Sequence, residues 1–161
     1  AYIYNILKSL FKSGFRRNIC ILLFHQTEDF LPMALACMKA GKKLTFEYLE
    51  ETKGQGWWGN NEYADFFENL SGEDNPWNWV RVFNGACFPE EYSYKGDHAG
   101  RYECARLESL YPGSIKLERL DETDDWFAQS ARNMSVEEGR EAVEQIVTTL
   151  LKAIKEGKRC Y

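Results

Sequence analysis

The segment Ile19-Cys20-Ile21-Leu22-Leu23-Phe24 carries six apolar residues in a row with no polar interruption. It is far short of the ~20 residues that a membrane-crossing helix needs. Its lack of alternation fits a strand buried on both faces, as in parallel sheets beneath helices. On its N-terminal side Ile3, Leu7, Leu10 and Phe11 recur at helical spacing, and Gly14 supplies the stop. On its C-terminal side the pattern predicts a helix over Phe30 to Ala40, with Pro32 in the first turn and Gly41 at the end. Leu44 to Leu49 then reads as a second strand beside the first. Helix, strand, helix, strand predicts a crossover unit with a right-handed connection. The expected class is α/β, a layered fold with a mostly parallel central sheet flanked by helices.

At 161 residues the chain is expected to be a single domain, 1–161, able to bury roughly two thirds of its unfolded surface. Twenty basic against 25 acidic residues give a net charge of −5. That balance lacks the basic excess of a nucleic-acid binder, so no nucleic-acid partner and no membrane partner is expected. Five cysteines at irregular spacing offer neither a disulfide framework nor a zinc-finger pattern. Cys20 and Cys37 read as buried thiols, and a reducing, cytoplasmic setting is the natural one. The chain opens at Ala1, inside a helical pattern and without Met, as a fragment would.

Between Lys53 and Asn84 lie four of the five tryptophans, Trp57, Trp58, Trp77 and Trp79. With one short helical stretch near Glu62 to Leu70, this region reads as ordered loops that cover a site or another subunit. A helix returns from Gly100 to Leu110. The last helix opens on Ser135 with Glu138 three residues on, a capping-box arrangement, and continues as an apolar stripe from Ala142 to Ile154 up to Gly157.

The two histidines are the strongest chemical signals. His25 follows the apolar strand at its C-terminal end, where ligands bind in open α/β sheets, and Glu28 and Asp29 stand close by. His25 with a carboxylate is half of a metal site. The same residues also suit a backbone-bonded strand-end histidine and a helix cap. His98 lies in Gly96-Asp97-His98-Ala99-Gly100-Arg101-Tyr102-Glu103. Small residues after it allow a ligand to approach, and Asp97 or Glu103 could orient it as a general acid or base. A plain turn with Asp97 capping the next helix accounts for the pattern equally well.

The segment from Asp97 to Glu103 resembles the His-Ala-Gly-x-x-Glu-Thr-Ser motif of the creatininase (creatinine amidohydrolase) family. Leu110-Tyr111-Pro112-Gly113 matches that family's Leu-x-Pro segment, and Ser130-Ala131 through Ser135-Val136-Glu137-Glu138-Gly139-Arg140 its final turn and helix. Upstream, Leu7 to Arg17 is similar to its helix ending in His-Gly-Phe-Arg. Three positions depart from the family pattern. Its Asn-Gly before the strand-end histidine is Leu23-Phe24, its Glu two residues after that histidine is Thr27 with Glu28 one place later, and its motif Thr is Cys104.

The resemblance covers about two thirds of the family's length and lacks its first segment, which supplies further metal ligands. It implies a creatininase-like fold and an oligomeric hydrolase acting on a C–N bond of a small or cyclic amide. A divalent metal, zinc and/or manganese, would be held in part by His25 and Glu28. His98 would donate a proton to the leaving nitrogen, with Asp97 and Glu103 beside it in the catalytic group. Tyr94, Trp57 and Trp58 would face the substrate, with His98 and His25 sharing one cleft.

With so few ligands, the metal site would have to be completed by another chain, as in a split or truncated enzyme forming a homo-oligomer or heteromer. The alternative is a degenerate, non-catalytic relative that binds a ligand or scaffolds a partner through its Trp-rich loops.

Overall fold

The computed structural model describes residues 1–24, 30–85 and 96–156, apart from the side chains of residues 30 and 31. His25, Glu28 and Tyr94 lie outside them, as does Gly157. The described residues up to 85 form one compact unit and those from 96 a second.

The first unit runs α1 (Tyr2–Lys12), β1 (Ile19–Leu23), α2 (Phe30–Lys53), a series of short 3-10 turns, and β2 (Val80–Asn84). α1 follows its apolar spacing, with Leu7 and Phe11 buried, and Gly14 takes φ +90°, where a side chain is strained. β1 forms where the apolar run predicts it, but its partner is different. Leu44–Leu49 is not a strand. α2 continues unbroken through Gly41 to Lys53 and absorbs it.

Gly41 does not stop the helix, because α2 lies so close to β2 there that only glycine fits. A Cβ at 41 would stand 2.8 Å from Val80 Cγ1. Ala34, Cys37, Gly41, Leu44, Thr45 and Leu49 are all buried along α2, a helical stripe that runs past the glycine. The buried Thr45 hydroxyl donates to the Pro76 carbonyl at 3.4 Å.

The strand that pairs with β1 is Val80–Asn84, within the region read from sequence as loops. The pairing is parallel, Ile19 opposite Val80 through Leu23 opposite Asn84. Its ends are fixed by the Ile19 N–H donating to the Trp79 carbonyl at 2.8 Å and the Gly85 N–H donating to the Leu23 carbonyl at 2.7 Å. Ile19, Ile21 and Leu23 pack into the core with Leu7, Phe11, Leu44, Val80 and Val82. Leu22, on the other face, is 43% exposed, so β1 is covered on one face rather than two. Phe11, Tyr48 and Trp79 meet as three rings at 5.4–6.2 Å, which places Trp79 in the core. The helical stretch near Glu62 is a 3-10 helix over Asn61–Phe66, opened by the Asn60 side chain accepting the Glu62 N–H.

The second unit contains α3 (Arg101–Leu110), short 3-10 turns, and α4 (Val136–Glu156). The capping box at the start of α4 is half formed. Ser135 Oγ accepts the Glu138 N–H at 3.3 Å, but the Glu138 carboxylate pairs with Arg101 on α3 at 2.6 Å. α3 and α4 pack at very short range through Gly139, where a Cβ would sit 2.1 Å from the Ala105 carbonyl oxygen. Of the predicted stripe on α4, Ala142 and Leu150 are buried while Val147 and Leu151 are exposed. The described chain is therefore a helix-rich α/β protein with a two-stranded parallel sheet. Among the described residues, no helix is long and apolar enough to cross a membrane.

Candidate functional site

The His98 turn is built around the start of α3. The first amides of a helix lack intrahelical acceptors and need partners from outside it. Here each has one. Ser130 Oγ accepts the Arg101 N–H at 3.2 Å, and the two Asp97 carboxylate oxygens accept Tyr102 N–H at 2.8 Å and Glu103 N–H at 3.0 Å. The Asp97 charge also lies favourably at the positive end of the helix. Asp97 thus serves as the helix cap, and its oxygens are directed at backbone amides.

Glu103 reaches back in return. Its Oε2 accepts the Ala99 N–H at 2.9 Å, while the Ala99 carbonyl accepts the Cys104 thiol at 3.2 Å. Ala99 sits at φ +48°, a left-handed conformation costing an L-residue roughly 1–2 kcal/mol. Its two backbone hydrogen bonds hold it there. Gly100 is needed for space, since a Cβ would fall 2.6 Å from both Asp97 Oδ2 and Ser130 Oγ. Burial, together with the negative Asp97 and Glu103, pushes the Cys104 thiol up from its ordinary value and makes it a poor nucleophile.

His98 stands between a capping residue and a left-handed one, with its side chain exposed. The backbone on either side of it is fixed, so the imidazole is presented from a preorganised turn. Sequence reasoning marked Asp97, His98 and Glu103 as site residues, and it noted Cys104 in the motif and Ser130 in a later turn without giving either a place at this turn. Ser130 is remote in sequence, and nothing local ties it to the start of α3. The Ala-Gly pair after His98 was the available signal for a turn of this kind.

The tryptophans divide. Trp57 is only 2% exposed, enclosed by Tyr63, Phe66 and Phe67 at 4.8–6.0 Å between centroids. The Lys53 ammonium lies 4.2 Å from the Tyr63 centroid and 4.7 Å from that of Phe66. Trp57 is therefore a core residue of this loop, in contrast to the expectation that it faces substrate. Trp58 next to it is 66% exposed. Trp77 lines an open groove of about 530 Å³ on α2, where Lys42 lies over its ring and donates to its carbonyl.

The expected metal ligands His25 and Glu28 and the expected substrate residue Tyr94 lie outside the described residues. Among the described residues, no group of three or more His, Cys, Asp and Glu side chains is placed to hold a metal ion. The chain matches no protein-family model, no curated protein and no solved structure.

Proposed function

We propose that the chain is a creatininase-like hydrolase subunit acting on the C–N bond of a small or cyclic amide, with His98 as proton donor to the leaving nitrogen. The reading rests on the resemblance around Asp97 to Glu103. The observation that carries it is the exposed His98 on a turn whose flanking backbone is fixed by Asp97, Glu103, Cys104 and Ser130. An imidazole nitrogen can hold a proton and hand it to a neighbouring group. Such a donor contributes about 10²–10⁴-fold in rate.

His25 and Glu28 would carry part of a zinc or manganese site, completed by ligands from another chain. The metal would polarise the amide carbonyl. Asp97 and Glu103 position the turn that bears His98. A cytoplasmic, oligomeric protein is part of the same proposal.

The test is hydrolysis of a panel of lactams and cyclic ureides by the purified protein supplied with zinc or manganese. Metal content is measured alongside. His98→Ala is expected to lower turnover at least ~10²-fold with metal content and helicity unchanged, and His25→Ala to lose metal. Full activity in His98→Ala overturns the assignment.

A second reading is favoured by the exposure of Trp58 and the groove beside Trp77. In it the chain is a non-catalytic subunit that grips a ring or a partner through these aromatic faces. Ligand binding that is lost in Trp58→Ala, with no bound metal and no turnover, would establish it instead.

A further inference from the structure

We infer that Trp57, Tyr63 and Phe66 form an aromatic cage for a trimethylammonium group, capped in this structure by the chain's own Lys53. The Lys53 ammonium stands 4.2 Å from the Tyr63 ring centroid, 4.7 Å from that of Phe66 and 5.7 Å from that of Trp57. A ring face attracts a cation within about 6 Å of its centroid, and cages of several rings are the usual means of recognising quaternary ammonium groups. The cage is complete within one stretch of chain, from the last residue of α2 to the end of the 3-10 helix Asn61–Phe66. The cation already inside it shows what class of ligand the rings hold.

Two features mark Lys53 as an ill-matched occupant. Lys8, Lys42 and Lys43 also lie over rings, and each has an oxygen partner as well: the Tyr4 hydroxyl, the Trp77 carbonyl and the Glu47 carboxylate. Among the described residues Lys53 has three rings and no such oxygen. Its ammonium is a compact, strongly hydrated charge with three N–H donors, which ring faces satisfy poorly. A trimethylammonium group carries the same charge with no N–H to leave unmet. The second feature is in the wall. Trp57 is 2% exposed, and its indole N–H has no acceptor among the described residues. A buried donor is costly to leave so, and a choline-type occupant brings an oxygen that Lys53 lacks.

Lys53, Tyr63 and Phe66 are each half-buried. Displacing Lys53 moves one side chain and no element of the fold, and it returns rotamer freedom to the lysine. Lys53 is thus a tethered competitor. It lowers the apparent affinity of the ligand by the fraction of time the cage is capped.

Calorimetric titration of the purified chain with choline and with free trimethyl-lysine tests this, against 3,3-dimethylbutanol, the neutral isostere of choline. Lys53→Gln is expected to bind choline about tenfold more tightly than the unaltered chain, since the competitor is gone. Tyr63→Leu in that background is expected to lose about tenfold, with an unchanged circular dichroism spectrum. Should a substitution disturb the fold, the unaltered chain decides: of its five indole N–H resonances, that of Trp57 is expected to shift as choline is added. Tighter binding of trimethyl-lysine identifies a modified lysine side chain as the ligand's source, and tighter binding of choline a small free compound. Equal binding of the neutral isostere overturns the inference. So does a Lys53→Gln chain that binds no more tightly than the unaltered one, or a Trp57 resonance that stays in place.

Discussion

Glu108 shows how one half-buried carboxylate organises a turn. Its Oε1 accepts the Gly113 N–H at 2.5 Å and its Oε2 the Ile115 N–H at 3.0 Å, closing the loop after α3. These bonds favour the charged form, the Gly113 one most, and hold the Glu108 carboxyl below its ordinary value of 4.5. A carboxylate with a depressed folded-state pKa stabilises the fold fully above its unfolded value. It loses that contribution as pH falls through the folded one. The Gly113 and Ile115 amide resonances are therefore expected to titrate together with a midpoint below 4.5, and to stay flat in Glu108→Gln. A midpoint at or above 4.5 would contradict the geometry. Asp97 teaches the same lesson at the candidate site. Its sequence position between a glycine and a histidine admitted both an acid–base partner and a cap, and only the placement of two amides on its two oxygens separates them.

The joint between α2 and β2 depends on the absence of a side chain at Gly41. Alanine there is worth up to ~1 kcal/mol more than glycine in helix propensity. Its Cβ, however, would meet Val80 Cγ1 at 2.8 Å and Val80 Cβ at 2.9 Å. Valine is stiff at χ1 and cannot swing clear, so overpacking, at about 1–3 kcal/mol, is expected to win. Gly41→Ala is predicted to lower the urea midpoint, and Val80→Ala in the same chain to cost less than the sum of the two single changes. Strict additivity would show that the two residues are not in contact.

This joint also explains what was legible in the sequence. α1, β1, α3 and α4 follow from apolar spacing and caps that act locally. α2 was cut short because glycine is usually a terminator, though the spacing from Ala34 through Cys37 to Leu44 and Tyr48 continues across it. β2 was missed because Val80-Arg81-Val82-Phe83-Asn84 is brief and sits among tryptophans and glycines. Its identity as a strand comes from a distant partner, β1. At the site, His98 and its neighbours were legible, but Ser130 reaches α3 only through tertiary structure.

The two compact units differ in what they bury. In the first the buried set includes Leu7, Phe11, Leu44, Trp57, Trp79 and Phe83. In the second, among the described residues, it is mostly small: Cys104, Ala105, Ala128, Ala131, Ala142, Leu150 and Ala153. Since stabilisation follows apolar area at about 25 cal/mol per Å², the described residues of the second unit contribute much less to hold it. The tryptophans divide in the same way. Four of the five belong to the first unit, while Trp126, the one in the second, is 85% exposed. An indole already in water changes its emission little when the chain around it unfolds. Fluorescence is thus a reporter for the first unit alone, whereas far-ultraviolet dichroism also senses α3 and α4. In a denaturant titration the dichroism is expected to begin falling before the emission moves to the red, with iodide quenching Trp126 equally well throughout. Superimposable curves would mean that the alanine-lined unit is as durable as its aromatic neighbour.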